Sequence, residues 1–161
     1  MASERLAPPP RFIELVQTVT GPIAGLAVEP ALADRLGRLF PATGEIFGEL
    51  EALCREGISQ GWLCDREGGG IRYGRALRAS PQTNGFSVDV VEMPTVAGPH
   101  HRHPNGEIDM VMPLDPDALF DGSPRGWKVY GPDSAHHPTV TGGACVILYL
   151  LPEGAIEFTG D

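Results

Sequence analysis

The sequence predicts a mainly β fold with a helical N-terminal extension, because residue spacing and composition both favour this fold class. Near Gly61 the chain changes from apolar residues at helical spacing to short runs that favour strands. Glycine (21) and proline (16) are plentiful but spread along the 161 residues, which is typical of many short strands and turns. We therefore expect one domain, in which a helical extension over residues 1–61 packs on a β unit over residues 62–161.

Two segments of the N-terminal third have the spacing of amphipathic helices. They are PALADRLGRLF (residues 30–40) and TGEIFGELEALCREGI (residues 43–58), which Pro41 separates. Thr43 can cap the start of the second helix. An earlier stretch, RFIELVQTV (residues 11–19), predicts a further short helix. The apolar face of the second helix contains Ile46, Phe47, Leu50, Leu53 and Cys54.

Four short runs in the C-terminal two-thirds predict strands. They are GFSVDVVEM (residues 85–93), EIDMVMPL (residues 107–114), GWKVYG (residues 126–131) and GACVILYLL (residues 143–151). The segments PQTNG, HPNGE, FDGSPRG and TVTGG divide them and are rich in turn-forming residues. Strands of this length, separated in this way, predict a small sandwich or barrel.

Charge and hydropathy exclude several kinds of partner. Acidic residues outnumber basic residues by 21 to 12, and the formal charge of −9 would repel a phosphate backbone, so we expect no nucleic acid partner. The longest apolar run, ACVILYLLP, is too short to span a bilayer. The N-terminal segment MASERLAPPPRF lacks the apolar core of a secretion signal.

The odd number of cysteines favours a reducing cytoplasm, with Cys54, Cys64 and Cys145 as buried apolar residues.

The segment GPHHRHPNGEIDMVMPL (residues 98–114) crowds three histidines into four positions, just before a carboxylate. In a strand, His101 and His103 point to one face while Arg102 points to the other. The following Pro-Asn-Gly predicts a tight hairpin that brings Glu107 close to His103. Two imidazoles and a carboxylate are ligands that a divalent metal ion prefers.

A second source of histidine is YGPDSAHHPTV (residues 130–140). Its adjacent histidines must face opposite sides if the backbone is extended, so only one of them can complete the site. We expect His136 to be this ligand, and His137 either to point outward or to contact a ligand without binding the metal ion.

The strand after the histidines carries two acidic residues on one face, and its other face is wholly apolar. If both faces are covered, Glu107 and Asp109 are carboxylates in a low-water setting, which is costly unless they are paired, hydrogen-bonded or metal-bound. A metal ion would account for Glu107. Asp109 is therefore the candidate for acid–base catalysis with a raised pKa, and structural hydrogen bonding is its alternative role.

HRHPNGE has the pattern His-x-His-x-x-x-Glu, and with the later GPDSAH it resembles the two signature motifs of the cupin superfamily. Asp133 stands where those motifs commonly have Gly, which adopts a left-handed turn more easily. The resemblance covers roughly residues 62–161 and implies a cupin-type double-stranded β-helix barrel that binds one divalent metal ion. It implies as ligands His101, His103, Glu107 and His136.

PHHRHPNGEIDMVMPL and GWKVYGPDSAHHPTVTGGACVILYLLPEGAIEF are together similar to the cupin-like family of 4-hydroxylaminobenzoate lyases. This resemblance spans nearly the whole chain, since that family also has a helical N-terminal part. It implies a small aromatic acid substrate, 4-hydroxylaminobenzoate, which is converted to 3,4-dihydroxybenzoate and ammonia during nitroaromatic degradation. Candidate cations for its carboxylate are Arg72, Arg75, Arg78 and Arg102, and candidate aromatic walls are Trp62, Tyr73, Trp127 and Tyr130.

Other functions stay open on the sequence alone. Three histidines and a glutamate leave two positions of an octahedral iron or manganese ion open, which also suits a dioxygenase or an isomerase. A non-enzymatic metal-binding sensor is a third reading, because fold does not determine function. The ligand types admit iron, manganese, nickel or zinc.

The apolar character of two strands predicts a homodimer. Residues 143–151 are apolar on both faces, and so is the outer face of residues 107–114. We expect one chain with a modest helical extension to leave part of this surface uncovered, and large exposed apolar patches mark interfaces.

Overall fold

The computed structural model describes residues 6–159, in which three α-helices precede a set of antiparallel strands. The helices are α1 (Pro10–Thr20), α2 (Leu32–Leu39) and α3 (Glu45–Gln60), so all three predicted helices are present. None of the helices in the described residues is both long and apolar enough to cross a membrane. The predicted cap is wrong: α3 begins after Gly44 in extended conformation, with no side-chain hydrogen bond at its start, and Thr43 lies outside it.

The strands carry more of the described residues than the helices do, which confirms the mainly β fold class. In chain order, β1 to β12 are Arg66–Gly68, Ile71–Leu77, Phe86–Met93, Val96–Ala97, His101–His103, Glu107–Pro113, Leu119–Phe120, Gly126–Tyr130, Ser134–His136, Thr139–Thr141, Cys145–Pro152 and Glu157–Phe158. All four predicted strands are present, as β3, β6, β8 and β11. The strands β1 and β2 were not predicted, because Gly74 and three arginines interrupt their apolar pattern.

The strands form one large and two small antiparallel sheets. The large sheet has the order β1-β2-β3-β11-β6-β8, and the small sheets have the orders β4-β10-β7 and β12-β5-β9. Side chains of the large sheet and of β4, β7 and β10 share one apolar cluster, so this small sheet faces one side of the large sheet. The other small sheet faces the same side, since His101 of β5 and Phe158 of β12 line one cavity together with Tyr149 of β11. This arrangement makes the β unit a barrel rather than an isolated sheet.

The predicted turn brings Glu107 close to His103, at 3.1 Å between Oε1 and Nε2, but the predicted pairing of β5 with β6 in a hairpin is wrong. The chain does turn after β5, where the Gly106 N–H donates to the His103 carbonyl at 3.2 Å, but β5 and β6 then enter different sheets. Both edges of β6 are occupied, by β8 and β11, so no edge is left for β5. Gly106 is required at this turn, because its φ is +90° and a Cβ there would lie 2.6 Å from the Val28 side chain.

The helices cover the outer face of the large sheet. The apolar side chains of β6 on that face, Ile108, Met110 and Met112, belong to one buried cluster with residues of all three helices. Side chains of β11 alternate between this cluster and the cluster inside the barrel, so this strand is covered on both faces within one chain. The apolar surface that suggested a homodimer is therefore already buried, and the homodimer stays a prediction. Cys54, Cys64 and Cys145 are buried and free, as predicted.

We expect Leu36→Ala to lower the free energy of unfolding by about 2–5 kcal/mol, because it opens a cavity between α2 and the sheet. Leu36 is 0% exposed. The matched control is Leu39→Ala on the same helix, where the side chain is 44% exposed and the loss should stay near 0.5 kcal/mol. Urea unfolding followed by circular dichroism measures both. Equal losses for the two variants would contradict the packing of α2 on the sheet.

Candidate metal centre

Three strands bring the predicted ligands together. His101 and His103 project from one face of β5, and His136 lies directly opposite His101 on the neighbouring β9. Side chains opposite each other in an antiparallel pair share a face, so the three imidazoles converge. Glu107, at the start of β6, meets them from the large sheet.

The four side chains are close enough to bind a single ion. The Nε2 atoms of His101 and His103 lie 3.4 Å and 3.1 Å from Glu107 Oε1. His136 Nε2 lies 3.6 Å from Glu107 Oε2 and 3.1 Å from His101 Nε2. One ligand atom from each residue fits within a mutual distance of 4.8 Å.

Burial makes this cluster unusual for a set of polar groups. The side chains of His103 and Glu107 are 0% exposed, and His103 Nε2 and both Glu107 oxygens make no hydrogen bond within residues 6–159. Buried polar atoms without partners are costly, at about 1–3 kcal/mol each. Their lone pairs face a common point, and the donor set of three imidazoles and one carboxylate fits a divalent metal ion.

Asp121 orients His136, and sequence analysis missed it. Its Oδ2 accepts a hydrogen bond from His136 Nδ1 at 2.6 Å and another from the Tyr130 hydroxyl, while its Oδ1 accepts from the Thr139 N–H at 2.8 Å. With the Nδ1 proton directed at Asp121, His136 Nε2 faces Glu107. Asp121 lies in a segment whose composition is typical of a turn, and no local pattern links it to His136, which is 15 residues away.

Ser134 orients His103 in a similar way. Its hydroxyl donates to the Gly131 carbonyl at 2.6 Å, and its oxygen lies 2.9 Å from His103 Nδ1. Because the only hydroxyl proton is used on Gly131, the serine oxygen accepts the Nδ1 proton of His103. His103 Nε2 is therefore left unprotonated and directed at Glu107.

The two buried carboxyl groups of β6 are held in opposite protonation states. Burial raises the pKa of Glu107, but the imidazoles of His101, His103 and His136, which surround its oxygens at 3.1–3.6 Å, outweigh burial and hold the pKa well below its usual range. Burial, and then the negative charge of Glu107, raise the pKa of Asp109 well above its usual range. A charged Glu107 thus lies beside a neutral Asp109, whose oxygens have no hydrogen-bond partner within residues 6–159.

The neighbouring polar residues of both motifs point away from the cluster. His137 is exposed, and its ring packs 4.8 Å from the ring of His100. Arg102 forms ion pairs with Asp133 and Glu157. Asp133 has a φ of +63°, so it does adopt the left-handed conformation for which glycine is commoner.

A cavity of about 740 Å³ opens beside the cluster, inside the barrel. His101 and Glu107 form one part of its wall, and Arg75 forms another. Tyr149 lies in this wall as well, and its hydroxyl makes no hydrogen bond within residues 6–159. Asp109 is not part of the wall.

The aromatic candidates from the sequence divide into two groups. Trp62 and Trp127 are core residues, with ring contacts of 5.3 Å to Phe12 and 5.8 Å to Phe47. Tyr130 packs against two of the histidines, and Tyr73 lines the cavity. Two further aromatic residues of the cavity, Tyr149 and Phe158, were missed. Only the fold shows that these strands share one interior.

The barrel and its three-histidine, one-glutamate cluster define the chain as a cupin-type protein, and this confirms the predicted fold class. The chain belongs to the 4-hydroxylaminobenzoate lyase family, whose profile (PnbB) matches residues 14–158. The resemblance seen in the sequence is therefore confirmed.

Two relatives carry the same description. A 4-hydroxylaminobenzoate lyase of Nocardioides sp. (strain LMS-CY) is 38% identical over 145 residues, which cover 84% of this chain and 83% of the relative. A 4-hydroxylaminobenzoate lyase of Pseudomonas putida is 33% identical over 132 residues, which cover 71% of this chain and 74% of the relative. Among solved structures, an RmlC-like cupin protein of Ralstonia eutropha JMP134 superposes with a TM-score of 0.42 and 13% identity, over 58% of this chain and 62% of the other.

The metal-free protein should lose stability as pH rises from about 6.5 to about 9. Burial opposes protonation of His136, but the hydrogen bond to Asp121 and the nearby negative charge of Glu107 outweigh burial and raise the pKa of His136 from 6.5 to about 9. A raised pKa contributes stability that is fully present below the unfolded value and is lost as pH passes the folded value. Urea unfolding of chelator-treated wild type and His136→Asn should therefore differ most near pH 6 and least above pH 9.

His137→Asn provides the control for this measurement. Its histidine is exposed and lies outside the cluster, so its difference from wild type should not change over the same pH range. If the difference in free energy of unfolding between wild type and His136→Asn stays constant from pH 6 to 10, the raised pKa of His136 is ruled out.

Proposed function

We propose that this chain is a metal-dependent lyase that converts 4-hydroxylaminobenzoate to 3,4-dihydroxybenzoate and ammonia in the breakdown of nitroaromatic acids. The observation that carries this proposal is the 38% identity to a relative of that description over 84% of the chain, together with a donor cluster beside a cavity. A dioxygenase, an isomerase or a sensor has no comparable support. We place the reaction in the cytoplasm, where three free buried cysteines would stay reduced.

The proposed reaction balances with water as its only co-reactant. The N–O bond, the bond from the ring to nitrogen and one C–H bond at the adjacent ring carbon break. Two C–O bonds form at these two ring carbons, and the nitrogen takes up protons and leaves as ammonia. Nothing is oxidised overall, so no oxygen or redox cofactor is needed. The site must therefore bind the aromatic acid and position its hydroxylamino nitrogen. It must also donate protons to the substrate and accept protons from it.

We propose that one divalent ion, iron, manganese, nickel or zinc, is held by His101, His103, Glu107 and His136. The support is the convergence of the four side chains and the lack of hydrogen-bond partners for His103 Nε2 and both Glu107 oxygens within residues 6–159. Asp121 and Ser134 accept hydrogen bonds from the Nδ1 atoms of His136 and His103 and thereby orient these two imidazoles. When bound, such an ion would supply Lewis-acid chemistry towards the hydroxylamino group.

Residues of the cavity wall would bind the aromatic ring and keep water away from it. Val91, Leu151 and Ile156 belong to the apolar cluster inside the barrel and line the cavity. Tyr149 is 5% exposed, and burial, followed by the charge of Glu107, raises its pKa well above the usual value. Its hydroxyl therefore stays protonated at neutral pH and can donate a hydrogen bond or a proton to a polar group of the substrate.

We propose that Glu107 and Asp109 form the acid–base pair of the site. Asp109 is neutral because it is buried next to a charged carboxylate, so it stores a proton beside Glu107. Asp109 is outside the cavity wall, whereas Glu107 and His101 are part of it. A proton held on Asp109 would therefore pass to the substrate through the groups at the wall.

Purified protein incubated with 4-hydroxylaminobenzoate under nitrogen should release equal amounts of ammonia and 3,4-dihydroxybenzoate. Removal of metal by a chelator should abolish turnover, and one equivalent of a suitable divalent ion should restore it. His103→Ala should lose bound metal and turnover, because His103 is a buried member of the cluster. The outward-facing His137→Ala serves as the control and should keep both. Absence of product from the metal-loaded wild type, with or without oxygen, would reject the lyase.

Asp109→Asn tests the proton role separately from the metal. We expect kcat to fall by about 10²–10⁴-fold, since loss of a general acid or base has effects of this size. Bound metal, measured by elemental analysis, should stay at the wild-type level because Asp109 is not one of the four ligands. A variant with wild-type kcat would show that Asp109 has only a structural role.

A further inference from the structure

A row of polar side chains crosses the inner face of the large sheet. Strand register places Lys128, Asp109, Tyr149, Asp89 and Arg75 side by side on β8, β6, β11, β3 and β2. The next inner row along the same strands includes Val111, Ile147 and Val91 and is apolar at these positions. The polar row therefore runs along the inner face of the large sheet, from the Asp109 carboxyl group on β6 to the Arg75 guanidinium on β2.

Arg75, at the far end of this row, is held in a defined orientation. Its Nε and Nη2 donate to the two carboxylate oxygens of Asp89 at 2.8 Å and 3.1 Å, and Nη2 also donates to the Gly154 carbonyl at 3.2 Å. Gly154 has a φ of +70°, a conformation that favours glycine, and a Cβ there would lie 2.9 Å from Arg75 Nη1. The Arg75 side chain is still 36% exposed, and it lines the cavity.

The distance across the cavity suits a molecule with two polar ends. β6 and β2 are three strand-to-strand steps apart, which corresponds to about 14 Å between their backbones. Glu107 and Arg75 both line the cavity, and their side chains take up part of the separation between their strands. A rigid ring with its two substituents at opposite ends, as in a para-substituted benzoate, is the shape that spans such a gap.

The other arginine candidates do not meet these requirements. Arg72 pairs with Glu92 at 3.3 Å on the opposite face of β2, and Arg102 pairs with two carboxylates outside the cavity. Arg78 is exposed and is not part of the cavity wall. Arg66 lines the cavity, but it lies on the exposed edge strand β1, where no ion pair of the described residues orients it.

We propose that Arg75, oriented by Asp89, binds the carboxylate of the substrate and makes the enzyme selective for para-substituted aromatic acids. A planar guanidinium matches a carboxylate in shape and charge. With the carboxylate at Arg75, the opposite substituent points towards His101 and Glu107. This assignment rests on the proposed lyase function for the identity of the substrate.

The test compares the acid with its neutral analogue, 4-hydroxylaminobenzamide, in Arg75→Gln. We expect kcat/KM for the acid to fall by about 10–100-fold, because a charge-assisted hydrogen bond is lost, while the value for the amide stays within about 3-fold. The preference for the acid should therefore collapse. Arg72→Gln is the matched control, since it removes an ion-paired arginine of the same strand from the other face, and it should keep the preference.

Two further variants keep the test decisive. Arg75→Gln/Asp89→Asn removes both charges, so no carboxylate is left unpaired, and thermal unfolding by circular dichroism establishes that it folds. It should lose the preference for the acid in the same way. Loss of the preference in Arg66→Gln but not in the Arg75 variants would overturn the assignment.

Binding separates this inference from the lyase proposal. Calorimetry with 4-hydroxybenzoate and 4-hydroxybenzamide needs no turnover, and wild type should bind the acid more tightly than Arg75→Gln does, with the amide as control. If wild type turns over the hydroxylamine and the Arg75 variants keep its preference for the acid, the carboxylate site is wrong and the lyase stands. If wild type binds the benzoate through Arg75 but releases no ammonia, the lyase is wrong and the carboxylate site stands. If wild type neither binds nor reacts, both are wrong.

Discussion

Burial of the Glu107 carboxylate is the constraint on which the rest of the site depends. Its side chain is 0% exposed and lies on a strand whose two edges are both paired. A charge buried in such a setting is very unfavourable unless polar or positively charged groups, or a metal ion, surround it. The three imidazoles supply this environment, and their positions follow from the register of β5 and β9. Hydrogen bonds that Ser134 and Asp121 accept from Nδ1 of His103 and His136 then determine which nitrogen of each ring faces the carboxylate.

The two faces of the large sheet differ in composition, and this difference explains how one small domain can bury several polar side chains. On the outer face, the helices and alternate residues of β3, β6 and β11 form one apolar cluster. The inner face is thereby free to carry carboxyl, hydroxyl and guanidinium groups. The same coverage that stabilises the fold keeps water from Asp109, and this is why its pKa is raised.

The cavity joins two polar sites of different kinds. The histidine and glutamate end has lone pairs directed inward, whereas the Arg75 and Asp89 end has an ion pair with its geometry set by two hydrogen bonds. Apolar side chains and the Tyr149 hydroxyl lie between these ends. A small aromatic acid combines a flat apolar ring with polar groups at its ends, so its chemistry corresponds to the order of groups along this wall.

The sequence alone determined what depends on neighbours along one strand. Alternation put His101 and His103 on a common face, and it separated the acidic face of β6 from its apolar face. Pairing between distant segments was decided only by the tertiary structure: β5 joins β9 and β12 rather than a hairpin with β6. Register also brought Arg75 to Asp89, and packing brought Asp121 to His136. A side chain's direction is a local property of the backbone, whereas its partner across a barrel depends on which long-range strand pairs bury the most apolar surface.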